Sequence, residues 1–155
     1  MEGRIIKMKN AIDNLIDKIK EKDNPTVTGL DPRYEMIPKC ITQKYAPTLE
    51  GASKAIIEFN KRLIDATYDI IPAVKPQIAF YEMFGIEGMK AFKETCEYAK
   101  QKGMIVIADI KRGDIGSTAE GYSNAFLGKT KIANKEESIF DVEFVTLNPY
   151  MGIDS

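Results

Sequence analysis

The sequence predicts a parallel α/β fold, the first half of an eight-stranded (β/α)8 TIM barrel, on three observations. Four short apolar runs (TVTGL, IPAVKP, MIVIAD and VEFVTL) alternate with stretches of helical periodicity, the pattern of strands joined by crossover helices. Four strands are half of what a closed barrel needs, and a whole barrel takes ~250 residues against the 155 here. The first three runs end in Asp31, Lys75 and Asp109, at the carboxyl ends of strands, where parallel folds bind ligands. A small open sheet complete in itself is the alternative, and no internal repeat or low-complexity segment decides between the two. Residues 1–155 are read as one domain.

Residues 8–22 carry Ala11, Ile12, Leu15, Ile16 and Ile19 at three-and-four spacing, an amphipathic helix whose stripe should cover something apolar. The breaker DNP precedes the first strand, TVTGL, and a proline-containing irregular stretch runs from there to about Thr48. Residues 49–70 return to helical period through Ile56, Phe59, Leu63 and Ile64, and IPAVKP gives a strand ending at Lys75. A helix over 86–102 places Met89, Phe92, Cys96 and Ala99 on one face, with Gly103 at its C-cap. The strand MIVIAD follows, then a helix over 116–127, a polar connection over 128–138, and VEFVTL running into NPYMG.

Composition narrows the chemistry. The hydrophobic share is 44% and the charged share 29%, as in a soluble globular domain. A net charge of −1 gives no overall pull toward nucleic acid or anionic membrane, so an anionic ligand must be captured locally. The cysteines, Cys40 and Cys96, have no metal-binding spacing, which argues against a disulfide framework and for a reduced, cytoplasmic setting. The chain has no histidine, which removes Ser-His and Cys-His catalysis and the commonest metal ligand together.

The stretch IVIADIKRGDIGST concentrates the charge. Asp109 and Lys111, at i and i+2 on a strand, share a side roughly 6–7 Å apart. Asp114, past Gly113, falls on the loop. If the strands are neighbours, Lys75 comes within about 4.8 Å of the same row. A lone strand-end charge is by default a solvated residue or a structural ion pair, but ammonium, carboxylate and ammonium converging are costly to desolvate unless each is satisfied. Convergence favours a ligand site. Two decoys fall away. The span from Asp109 to Glu120 has the length of a calcium loop, but Lys111 sits at a ligand position and Asp114 replaces the turn glycine. SNAFLGKT ends like a phosphate-binding loop, but Ser123 stands where its first glycine belongs, and Lys129 is surface charge.

With those residues in view, DIKRGDIGST resembles the D-x-K-x-x-D signature of the orotidine 5'-phosphate decarboxylase family, in its longer, bacterial-type branch. GLDPR at 29–33, VKPQIAFYE at 74–82 and TLNPYMGID at 146–154 stand in the order and at the strand ends expected of it. The resemblance implies a TIM barrel, cofactor-free and metal-free removal of CO2 to give UMP, and a homodimer whose subunits share active sites. It assigns Lys111 to stabilise and protonate the C6 carbanion, Asp109 to lie near the departing carboxylate, and Lys75 to hold Asp109 and reach a ribose hydroxyl. Asp31 contacts ribose; Asp114, with Ile115 and Thr118, reaches the neighbouring subunit's site. Arg112 and Gly113 serve the turn. Gln77, Phe80 and Tyr81 are expected in the core rather than the site, and Asn148 and Pro149 either line the site or form a turn.

Barrels of this kind grip phosphate with loops after strands seven and eight, and Arg4, Arg33 and Arg62 stand in no such motif. Residues 1–155 alone are therefore expected to bind the nucleotide weakly and, with two open sheet edges, not to hold together as an isolated unit. Two other readings stay open: a Mg2+-dependent sugar-phosphate decarboxylase or synthase of the same barrel group, and a non-catalytic half-barrel that only associates with another chain.

Overall fold

The computed structural model describes residues 10–152. In chain order its elements are α1 (Ala11–Lys22), β1 (Val27–Leu30), α2 (Lys39–Thr42), α3 (Leu49–Thr67), β2 (Ala73–Pro76), α4 (Ala79–Glu82) and α5 (Gly85–Gln101). There follow β3 (Ile105–Arg112), α6 (Gly116–Phe126), β4 (Thr130–Ile132), β5 (Lys135–Glu137) and β6 (Phe144–Leu147). Strands β1, β2, β3 and β6 form one parallel sheet in that spatial order. A doubly wound sheet reverses direction at a switch point; this one only advances, as the first four strands of a (β/α)8 barrel must.

Alternation along the strands sorts the two faces. Val106, Ala108 and Ile110 of β3 and Val74 of β2 are buried and join the apolar cluster that α3 and α5 complete through Ile56, Ile64, Phe92, Cys96 and Ala99. Phe92 lies edge-on to Tyr81 at 5.2 Å between ring centroids and to Phe140 at 5.5 Å, a favoured geometry for buried rings. Lys75 and Asp109 belong to the other face. Between β3, α6 and β6 lies a cavity of about 370 Å³ lined by Ile110, Asp114, Tyr122, Phe126, Val145 and Leu147 among others; Lys75, Asp109 and Lys111 do not line it.

The helix caps follow the chemistry expected of them. Asn10 accepts a hydrogen bond from Asp13 N at 2.8 Å and Thr48 accepts one from Gly51 N at 3.1 Å, each satisfying an orphan N-terminal donor. Gly103, at φ 77°, closes α5 by donating to Lys100 O, as its C-cap position predicts.

Several expectations change. Residues 8 and 9 of the first helix lie outside the described residues. The stripe of α1 is not buried: Ile12 and Ile16 stay exposed, and the helix lies against Gly103, Met104 and Ile105 at the foot of β3. The stretch from 32 to 48 contains a turn of 3-10 helix at Tyr34–Met36 and α2, and a short helix, α4, lies between β2 and α5. Helix α3 ends at Thr67 rather than 70. The polar connection after α6 holds the β4–β5 hairpin, turned at Ala133 with φ 52°. Strand β3 runs past Asp109 to Arg112, with a register shift against β6 between Ala108 and Arg112.

Candidate active site

Register brings the charges together. Gly29 pairs with Lys75 across β1 and β2, and Gln77 bridges Asp109 across the ends of β2 and β3. Lys75 therefore sits one pleat below the partner of Asp109, on the same face. Asp109 is buried, at 6% relative exposure, yet each of its oxygens has two donors. Oδ1 accepts from Lys111 Nζ at 2.5 Å and Thr146 Oγ1 at 2.9 Å; Oδ2 accepts from Lys75 Nζ at 2.6 Å and Gln77 Nε2 at 2.8 Å. A carboxylate has about four lone-pair positions, so this one is saturated. Burial opposes its ionisation, but the bonds from Lys111, Lys75 and Thr146 outweigh that and hold the carboxyl at about 2. The array of Lys75, Asp109 and Lys111 carries one net positive charge, and the Lys111 side chain remains 61% exposed, open to an anion.

Lys111 sits at φ 50°, a left-handed backbone that residues other than glycine seldom adopt and that clusters at functional sites. Simple strand alternation placed Lys111 beside Asp109; the strand reaches that result through a bulge rather than a regular pleat.

Asp31 directly follows β1 and is exposed, at the same end of the sheet as Gln77, whose backbone N donates to Leu30 O. Asp114 is not part of the array: its Oδ1 accepts from Ile115 N at 2.8 Å, on the loop. Ile115 and Thr118, at the start of α6, are exposed.

Gln77 corrects the sequence reading. It was expected in the core, but its amide nitrogen holds Asp109 while its oxygen accepts from Ala79 N at 3.4 Å. Tyr81 is a core residue, fully buried and donating to Leu30 O at 3.2 Å, and its burial pushes the phenol above its usual range. Phe80 lies half-buried under the Arg33 guanidinium. Asn148 makes a turn, its side chain accepting from Tyr150 N at 3.2 Å.

Thr146 joins the site without any mark in the sequence, because a threonine inside a strand run shows nothing beyond β-propensity. Arg112 pairs with Glu82 and lies over Tyr122, tying the end of β3 to α4 and α6. Arg62 pairs with Glu58 at 2.7 Å; Arg4 lies outside the described residues. Cys40 and Cys96 are both free, and burial pushes the Cys96 thiol up to about 12, which leaves it inert. No helix among the described residues is long and apolar enough to cross a membrane.

A half-barrel that clamps one carboxylate between two ammonium groups at the carboxyl ends of its strands defines a protein of the (β/α)8 barrel class. The comparisons give that class a family. The model of the orotidine 5'-phosphate decarboxylase / HUMPS family matches residues 27–155, and the chain belongs to that family. Orotidine 5'-phosphate decarboxylases of Clostridium novyi and Petrotoga mobilis are 43% and 44% identical over 144 residues, 93% of this chain and 45% of each relative. The solved structure of Leishmania donovani OMP decarboxylase superposes with a TM-score of 0.68 at 32% identity, covering 95% of this chain and 47% of that one. The chain spans about half the length of the curated relatives it matches.

Proposed function

We propose that residues 1–155 form a single domain, the N-terminal half-barrel of an enzyme that decarboxylates orotidine 5'-phosphate to UMP without metal or organic cofactor, in a cytoplasmic homodimer. One observation carries the reading: a saturated, ionised Asp109 holds the ammonium of Lys111 at the open end of the sheet. Decarboxylation breaks the bond from C6 to the carboxylate, releases CO2 and leaves the electron pair on C6, a carbon with no adjacent electron sink. A fixed ammonium beside that carbon stabilises the charge as it develops. It then delivers a proton to C6, and the resulting amine recovers its proton from solvent. In this reading Lys75 orients Asp109 and meets a ribose hydroxyl, Asp31 holds ribose, and Asp114, Ile115 and Thr118 serve the neighbouring subunit's site.

The four donors on Asp109 leave it no lone pair for a divalent cation, which favours the nucleotide reaction over a Mg2+-dependent sugar-phosphate reaction. The test joins residues 1–155 to the part of the Clostridium novyi relative beyond the matched region and follows the ultraviolet absorbance of orotidine 5'-phosphate. Turnover that survives chelation of Mg2+ and falls by about 10³-fold or more in Lys111→Ala is expected. No turnover, or turnover that Lys111→Ala leaves intact, contradicts the reading and favours an association module.

A further inference from the structure

Strands β3 and β6 pair at Ile107 with Phe144 and at Ala108 with Val145, and next at Arg112 with Leu147. Residues 109, 110 and 111 on β3 therefore stand against Thr146 alone on β6, a bulge that interrupts the ladder. Both charged residues contributed by β3 lie within it. The Lys111 N–H donates to Thr146 Oγ1 at 3.0 Å, and the same hydroxyl donates to Asp109 Oδ1 at 2.9 Å. An amide N–H can only donate and a carboxylate only accept, so the single hydroxyl proton has a fixed direction. One side chain thus spans from the backbone of Lys111, held at φ 50°, to the carboxylate of Asp109.

We infer that Thr146 is the positioning residue of this site: its hydroxyl fixes the bulged backbone that carries Lys111 and the rotamer of Asp109, and so sets where the ammonium meets the substrate. The inference rests on the decarboxylase reading for its effect on rate, while the contact itself can be read without turnover. Serine can make both hydrogen bonds. Valine, matched in shape, can make neither, and leaves the N–H and one carboxylate position unmatched. Small misplacements of a reacting group cost about 10²-fold in rate.

The experiment uses the joined protein described above. Thr146→Val is expected to lower kcat by about 10²-fold with KM changed only a few-fold, and Thr146→Ser to stay close to the parent. Independently of activity, amide hydrogen exchange at Lys111 is expected to speed up at least tenfold in Thr146→Val and not in Thr146→Ser, with Ala108 unchanged. Parental kcat in Thr146→Val, an equal fall in Thr146→Ser, or an equally protected Lys111 amide overturns the inference. If the parent does not turn over orotidine 5'-phosphate, the decarboxylase reading fails and exchange alone decides whether Thr146 holds the array. If Thr146→Val does not fold, Thr146→Ala against Thr146→Ser makes the same comparison.

Discussion

Asp109 shows how a buried charge is kept at the end of a strand. Burial alone would neutralise it, but Lys111, Lys75, Thr146 and Gln77 share its two oxygens. Its folded pKa of about 2 lies below the unfolded value of ~3.9. Its contribution to stability is therefore complete above about pH 4 and is lost as pH falls through about 2. Asp109→Asn leaves two ammonium groups facing each other and is expected to cost about 1–2 kcal/mol at pH 7, at the low end for charged hydrogen bonds because Lys111 is largely screened by water. Urea midpoints of the joined protein and its Asp109→Asn variant at pH 7, 4, 3 and 2 should show the gap narrowing toward the acid end. A gap that stays constant down to pH 2 would mean the carboxylate is not held by these donors.

At the level of elements, what the sequence made legible depended on whether local pattern or tertiary contact sets the structure. Helices α3 and α5 read clearly because Ile56 and Ile64, and Phe92, Cys96 and Ala99, repeat with the helical period and all face the sheet. The four parallel strands read as apolar runs for the same reason. The β4–β5 hairpin did not, because TKIANKEE has no buried face and its turn puts Ala133 where glycine or asparagine usually marks a positive φ. The bulge in β3 was invisible because its register is set by β6, more than thirty residues further along the chain. Of the site, the charges were legible as unusual strand endings; Thr146 and Gln77 were not, since neutral hydrogen-bonding residues are ordinary in strands and turns. Gly113 belongs to the same junction. A Cβ there would lie 2.9 Å from the Asn148 backbone oxygen and 3.3 Å from its Cβ, next to the bond from Asn148 N to Arg112 O. Gly113→Ala must push the ends of β3 and β6 apart, at a cost of about 1–3 kcal/mol. Thermal denaturation should register that loss, and kcat should fall with it, because Thr146 lies two residues from the clash. A variant with parental stability and rate would show that the junction yields without disturbing the site.

At the scale of the whole molecule, the proposed homodimer can be tested at the loop that follows β3. Ile115, next to Asp114, is 57% exposed, and Leu147, paired with Arg112 at the start of that loop, is 60% exposed. Asp114 makes its hydrogen bond within that loop rather than to the array, which suits a residue serving a second copy's site. The two roles can be separated by mixing. Lys111→Ala removes the ammonium from its own site, and Asp114→Ala removes the group it would lend to the partner. With both variants made in the joined protein, each variant dimer alone should lose nearly all activity. Random exchange between two copies leaves half of the dimers mixed. In a mixed dimer one site combines an intact Lys111 from one copy with an intact Asp114 from the other, while its second site lacks both. An equimolar mixture unfolded and refolded together should therefore recover about a quarter of the parental rate per subunit, since a shared isologous interface puts one good site in half of the dimers. Recovery near zero would place Asp114 in its own subunit's site, because every site would then carry one of the two defects.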